Sequence, residues 1–268
     1  MKPAEQKRAL ACAVKAARAA GRVMRKNLFA DKKITASWQH DIKLELDVEC
    51  QELIEEILYA NFPEAALLGE EGVAGNAKAE WRWVVDPIDG TVNFAHTIPH
   101  ACVSIALQVE DKKPGRKKEY ITEVGVVYDP FCDELWTAIR GQPARLNGRI
   151  IRVSKRRKLR EALVSMGFAK SRANTDRTLP YFNQLVRRVR KVRQMGSAAL
   201  AMTYVATGRF DAYLERGIRI WDIAAGGLIV ECAGGEFWRK PIAGQHAFEM
   251  IVSNGLLRKK LEKLGRAG

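Results

Sequence analysis

Hydrophobic positions change period along the chain, and each change predicts an element. Over residues 1–30, Leu10, Val14, Ala17, Gly21, Met24 and Leu28 recur at steps of three and four, which predicts an amphipathic helix with one buried face. A second helix is predicted from about 46 to 60, with Leu46, Cys50, Leu53, Ile54 and Ile57 on one face and Asn61-Phe62-Pro63 as its stop. Short β-rich runs follow: AALLGE (65–70), RWVVD (82–86), CVSIALQV (102–109), EVGVVYD (123–129) and ELWTAI (134–139). In RLNGRI (145–150) an Asn-Gly pair favours a tight hairpin. Strands in succession without helices between them imply an antiparallel sheet. After about residue 155 strand and helix alternate: ALVSMG (162–167), a helix across 176–192, a helix after Gly196, DAYLE (211–215), a helix from Asp222, EMIVS (249–253) and a terminal helix. The pattern predicts one α/β body, with an antiparallel N-terminal half over 1–153 and a mixed C-terminal half over 154–268.

Composition narrows the class. Apolar residues are 47% of the 268 and charged residues 28%, as in folded globular chains. Apolar stretches are interrupted well short of the roughly 18–20 residues a membrane span needs, which excludes a membrane helix. The five cysteines, at 12, 50, 102, 132 and 232, are odd in number and widely spaced, so no disulfide framework or zinc ribbon is encoded and the reducing cytoplasm is expected. Residues 1–30 are rich in Ala, Arg and Lys, like a transit peptide, but no apolar core precedes a cleavage site, and they read as an ordinary first helix. Lys and Arg outnumber Asp and Glu by 45 to 31, giving +14, concentrated in SKRRKLR (154–160) and RRVRKVR (187–193). Such runs can bind nucleic-acid phosphates. The second run reads as helical with Val189 and Val192 inward, and neither interleaves aromatics, so a solvated basic face is the preferred reading. Trp81 and Trp83 read as core or interface anchors, and His96 and His100, without zinc-spaced partners, as structural.

Candidate chemistry lies in carboxylates at the ends of apolar runs. In Trp83-Val84-Val85-Asp86-Pro87-Ile88-Asp89-Gly90-Thr91-Val92-Asn93-Phe94, a strand delivers Asp86, Pro87 fixes one φ, and Gly90 permits a tight turn toward a helix near Thr91. Two carboxylates held that close raise one another's pKa unless a cation lies between them, and hard oxygen ligands, with the Ile88 carbonyl as a further one, suggest Mg²⁺. The plain alternative is that Asp86 and Asp89 cap a turn. Glu70, after Leu68-Gly69, and Asp222, in Ile220-Trp221-Asp222-Ile223-Ala224-Ala225-Gly226, sit at similar ends, where ligands of α/β proteins gather. By themselves they read equally as a solvated turn and a helix N-cap.

Gly69-Glu70-Glu71, Asp86 through Phe94, Trp221 through Gly226 and Glu231-Cys232-Ala233-Gly234-Gly235 together resemble the signature motifs of the inositol monophosphatase family, in matching order over nearly the whole chain. The resemblance implies an α/β fold, a layered αβαβα sandwich of the inositol monophosphatase and fructose-1,6-bisphosphatase type. It also implies a Mg²⁺-dependent, lithium-sensitive phosphomonoesterase with two or three ions. Glu70, Asp86 and the Ile88 carbonyl would hold one ion, and Asp86, Asp89 and Asp222 a second. Glu70 and Thr91 would orient the attacking water, Thr91 being held by Asp47. The substrate would meet Asp89, the amides of Gly90 and Thr91, Asp222, the small-residue turn Gly196-Ser197-Ala198, and Glu215, whose carboxylate would accept bonds from ring hydroxyls. Paired with Arg216 or Arg219, Glu215 would be a plain surface acid instead.

The implied substrate is a small phosphorylated polyol, inositol 1-phosphate foremost. Histidinol phosphate, fructose bisphosphate and phosphoadenosine phosphate are alternatives, although Thr91-Val92-Asn93-Phe94 is closer to the inositol branch. A homodimer is implied as well, and an RNA- or transcription-complex-binding role using the basic surface is the reading from another functional class. One stretch departs from the family pattern: Asp41-Ile42-Lys43-Leu44-Glu45-Leu46-Asp47 keeps both aspartates but has Leu at 44, and an upstream Lys lacks a counterpart. That bears on loop closure and on a third ion.

Overall fold

In the computed structural model, residues 1–38, 41–76, 78–112, 119–168, 172–244 and 246–266 are described. The chain opens with α1 (Pro3–Asn27), β1 (Ile34–Trp38), β2 (Asp41–Leu44) and α2 (Glu45–Tyr59). It continues through β3 (Ala66–Gly69), β4 (Val73–Ala74), β5 (Trp81–Asp89), a short α3 (Thr91–Ala95), β6 (Cys102–Asp111), β7 (Glu119–Asp129), β8 (Glu134–Ile139), β9 (Arg145–Leu146) and β10 (Arg149–Ile150). After a 3-10 turn at Leu159–Glu161 come β11 (Leu163–Met166), α4 (Arg172–Val186), β12 (Lys191–Arg193), α5 (Ala198–Ala206), β13 (Ala212–Arg219), α6 (Ile220–Cys232), β14 (Glu236–Pro241), β15 (Ala247–Ser253) and α7 (Arg258–Arg266).

These elements stack in five layers, the expected αβαβα order. An eight-stranded sheet runs β10-β9-β8-β7-β6-β5-β3-β4 and a five-stranded one β12-β11-β13-β15-β14. α1 and α2 cover the outer face of the large sheet, α5 and α6 lie between the sheets, and α4 and α7 cover the outer face of the small one. Three apolar clusters fill the four gaps, the largest lying on both sides of the α5-α6 layer. Alternation along the strands sorts residues between them: on β6, Val103, Ile105 and Leu107 face α1, whereas Cys102 and Ala106 face α5 and α6. A sheet covered on both faces reads as a continuous apolar run, which is why β5 to β8 were legible as runs without polar alternation. α5 and α6 are apolar all round because they are buried all round.

Several expectations need correction. The antiparallel sheet is mixed: β3 pairs parallel with β5. The helix expected across 176–192 ends at Val186, and Lys191–Arg193 is an edge strand parallel to β11, so the second basic run is not helical, although Val189 is buried. β12, β14 and the separate β1-β2 pair were not anticipated. On α1 the buried stripe is offset toward Ala9, Ala13, Ala16, Ala17 and Ala20, with Leu10 and Val14 at its margin, since small residues let the helix lie close on the sheet. The Asn-Gly hairpin is present, with Asn147 at φ 47° and Gly148 at φ 80°, the left-handed pair a type I′ turn requires. Trp83 is a core anchor, edge-on to Phe62 at 5.5 Å.

Candidate active site

Sheet register assembles the carboxylates. Because β3 and β5 are parallel, with Gly69 opposite Val85, the residues that follow them emerge side by side, and the Glu70 amide donates to the Val85 carbonyl at 3.1 Å. Asp86 pairs with Ser104 and Asp89 with Cys102, so three steps on β5 match two on β6. That extra residue is a β-bulge. Residues three apart on a regular strand face opposite ways; the bulge at Pro87-Ile88 instead turns Asp86 and Asp89 both toward α5 and α6. Ser104 Oγ donates to the Trp221 carbonyl at 3.3 Å, which fixes the start of α6 above the same point. One carboxylate oxygen each from Glu70, Asp86 and Asp222 therefore lies within 4.8 Å of the other two.

Asp222 is not the N-cap of α6. It occupies the third helical position, and its Oδ2 accepts the Arg219 amide at 2.8 Å, as the acidic half of a capping box does. Asp86 Oδ1 accepts the Ile88 amide at 3.1 Å. Neither aspartate has a basic side chain within 4.0 Å among the described residues. Burial, and then the neighbouring Glu70 and Asp89, hold both carboxyls well above the usual range. Three converging carboxylates suit a hard divalent cation such as Mg²⁺, which would relieve that repulsion.

Asp89 stands outside this trio and is held by the other half of the molecule. It accepts Ser197 Oγ at 2.6 Å, the Ala199 amide at 2.6 Å and the Ala198 amide at 3.2 Å. Burial raises its pKa and these bonds oppose the rise. Ser197 also caps α5 by accepting the Leu200 amide at 3.3 Å. The small-residue turn expected to meet substrate thus presents its hydroxyl and two amides to Asp89. Gly196 has φ 77° and packs against Asn93, whose Nδ2 donates to the Met195 carbonyl at 2.8 Å.

Gly90 is the N-cap of the five-residue α3 at φ 98°, and a Cβ there would lie 2.9 Å from the His100 carbonyl, so no other residue fits the turn. Thr91 Oγ1 donates to the Ile88 carbonyl at 2.9 Å, and the expected bond between Thr91 and Asp47 is not formed. Asp47 is buried at the first turn of α2; its Oδ2 accepts the Leu44 amide at 2.8 Å, its Oδ1 has no partner, and burial pushes its pKa up to about 7. From the second sheet, Glu215 accepts the Tyr213 hydroxyl, and its charge is among those that raise Asp222. Arg216, one of its expected partners, pairs with Glu249 instead. His100 is structural, edge-on to Tyr204 at 6.0 Å, with its pKa lowered by burial.

Sequence reasoning passed over Lys43, whose ammonium reaches Glu71 at 2.8 Å, and Gln51, whose Oε1 accepts the Glu71 amide at 3.0 Å. A signal existed: Asp47 and Gln51 are polar residues four apart on the buried side of α2. In the departing stretch, Asp41's side chain lies outside the described residues.

Residues 5–256 match the model of the inositol monophosphatase family. The chain is 42% identical over 231 residues to inositol monophosphatase 2 of Solanum lycopersicum, covering 83% of this chain and 84% of that protein. It is 40% identical over 227 residues to Nus factor SuhB of Pasteurella multocida, covering 83% and 82%. Among solved structures, extragenic suppressor protein suhB from Bartonella henselae superposes with a TM-score of 0.86 at 32% identity, over 96% of this chain and 98% of that one. Inositol monophosphatase from Anabaena superposes with a TM-score of 0.81 at 35% identity, over 95% and 94%.

Proposed function

Since this chain belongs to the inositol monophosphatase family, a family of phosphatases, we propose that it hydrolyses the phosphate monoester of a small polyol, inositol 1-phosphate foremost, with Mg²⁺. The observation that carries this reading is the convergence of Glu70, Asp86 and Asp222 within 4.8 Å, with Asp86 buried and the other two half-buried. The trio, the Ile88 carbonyl and Asp89 would hold the metal. Asp89 has room for that role, since its Oδ1 accepts a single amide at 3.2 Å and a carboxylate oxygen carries two lone pairs. Bound metal ions would supply the positive charge that acidifies water and stabilises both the entering and the departing oxygen.

The chain's own residues do the rest. Glu70 orients the water, and Thr91 positions it from the end of the bulge. The Gly90 and Thr91 amides face the phosphate. Glu215, oriented by Tyr213, accepts hydrogen bonds from substrate hydroxyls. Asp89, tied to Ser197, Ala198 and Ala199, locks the second sheet's helix layer onto the metal loop, so the substrate side is fixed relative to the reaction centre. Lithium sensitivity and a homodimer belong to this reading through the family alone. A reducing, cytoplasmic setting fits five cysteines that all stand as free thiols. No helix among the described residues is long and apolar enough to cross a membrane.

The test is phosphate release from a panel of monoesters during a Mg²⁺ titration. Inositol 1-phosphate should have the highest kcat/KM, and lithium should inhibit. A folded protein that binds Mg²⁺ yet releases phosphate from none of the panel ends the proposal; preference for histidinol phosphate or fructose bisphosphate would keep the chemistry and change the substrate.

A further inference from the structure

The two basic runs of the sequence meet on one edge of the small sheet, and α7 adds a third. β11 and β12 are parallel, with Leu163 opposite Lys191, so the segments leading into them lie at the same end, and the Arg190 amide donates to the Ala162 carbonyl at 3.0 Å. Lys260 Nζ of α7 donates to the Arg157 carbonyl at 2.6 Å, and the Tyr181 hydroxyl of α4 donates to the Leu261 carbonyl at 2.8 Å. The acid site is at the opposite end of the same strands, where the Gly167 amide meets the Leu214 carbonyl at 3.0 Å beside Glu215. Folding therefore separates the charges: carboxylates at one end of the strands, guanidinium and ammonium groups at the other.

This edge is ordered without secondary structure. Residues 151–158 form neither helix nor strand, but Asp211, fully buried, accepts the Leu163 amide at 2.8 Å, Arg156 Nη1 at 3.0 Å and the Ser154 hydroxyl. Asn254 Nδ2 adds bonds to Ser154 Oγ at 3.0 Å and to the Arg156 carbonyl at 2.9 Å. A segment held in one shape loses little entropy on binding. Arg157, Arg160, Arg188 and Arg190 are exposed, and among the described residues none of them has a carboxylate within 4.0 Å. A groove of about 670 Å³ follows the segment from Arg152 to Lys158, and a second hollow of about 330 Å³ opens between Phe182, Val186 and Arg190.

We infer that this edge binds the phosphate backbone of a single nucleic-acid strand, at a place separate from the phosphatase site. Guanidinium forks match phosphate oxygens two at a time. A grooved, arginine-rich path suits a strand better than a flat bilayer. The inference goes beyond the phosphatase reading and is independent of it, since phosphate release is measured apart from strand binding.

The experiment is fluorescence anisotropy of the full chain with labelled RNA and DNA strands of about 20 nucleotides, titrated from about 50 to about 200 mM salt, with phosphatidylserine vesicles as a separate arm. The test variant is R157E/R160E/R190E. The control is K15E/R22E/K26E on α1, which changes net charge equally on another exposed face. The expected result is binding at low salt that the edge variant weakens at least about tenfold, with a salt slope smaller by about two, while the control changes it less than about threefold. Near-UV circular dichroism checks the fold, and if the reversals unfold the chain, R157Q/R160Q/R190Q carries the same comparison. Equal loss in both triple variants, no strand binding at low salt, or binding to vesicles but to neither strand would overturn the inference.

Discussion

Asp211 and Asp86 are equally hidden, at 0% and 1% exposure, yet their surroundings are opposite. Asp211 is met by a guanidinium, a hydroxyl and a backbone amide, and it nails an irregular segment to the small sheet. Asp86 accepts one backbone amide and otherwise faces Glu70, Asp89 and Asp222, all of its own sign. The difference teaches how to read a buried acid. One surrounded by donors has its energetic purpose fulfilled inside the fold. One surrounded by acids is a cost the fold carries unless a cation arrives.

The contrast is broken most directly by removing each charge in turn. Asp86→Asn should lower kcat/KM by about 10³-fold or more, equivalent to about 4 kcal/mol of transition-state stabilisation. Without divalent ions it should melt no lower than the parent, because one of the repelling charges is gone. Asp211→Asn should do the reverse, costing about 2–4 kcal/mol in urea denaturation by removing the charge of a buried acid that holds a half-exposed arginine, a hydroxyl and an amide, while the folded fraction keeps its kcat. Phosphate assays and denaturation on both variants decide the matter. Equal destabilisation in both would make the acid trio an ordinary structural network.

A pH series sharpens the same point with a smaller effect. A carboxyl whose folded pKa is raised is protonated alike in both states at low pH. Between the unfolded and folded values the native state holds the extra proton, so stability falls as pH rises. Asp47, moved from 3.8 to about 7, sets that window. Metal-free protein should therefore lose a few kcal/mol between about pH 4 and pH 7. Added Mg²⁺ should flatten the decline, and a chelator should restore it. A metal-free profile flat across the window would show that burial and like charges do not raise these carboxyls.

How much of this was legible in the sequence follows from the range of the forces involved. The acids were legible because each ends an apolar run, and the order of layers because strands buried on both faces read as runs. The bulge at Pro87-Ile88 was not legible, since it exists only against the Ser104–Cys102 register of a neighbouring strand. Nor was the partner of Asp89, because Ser197 is brought to it by tertiary packing from 108 positions away. The helix expected to run through 187–192 failed because the spacing of Val189 and Val192 fits a helical period, whereas Lys191–Arg193 is made a strand by its pairing with β11, which no local spacing shows. Asp211, with its donors up to 57 positions away, gave no local sign at all.

The smallest prediction isolates one charge at the margin of the trio. Asp47→Asn keeps an acceptor for the Leu44 amide but removes a buried carboxylate that Glu70 and Glu71 both disfavour. The full shift from 3.8 to about 7 corresponds to about 4 kcal/mol, at 1.36 kcal/mol per pKa unit. Against that, the new amide aims an N–H at the side of Asp47 where Oδ1 has no partner, an unsatisfied donor that costs about 1–3 kcal/mol. The balance is a gain of about 1–3 kcal/mol at pH 8 in metal-free protein, shrinking to nothing or reversing near pH 4, where the native aspartate is already protonated. Paired denaturation curves at the two pH values measure it. If the variant is equally stabilised at both, the effect is packing, and the repulsive electrostatics assigned to this end of the molecule stop short of α2.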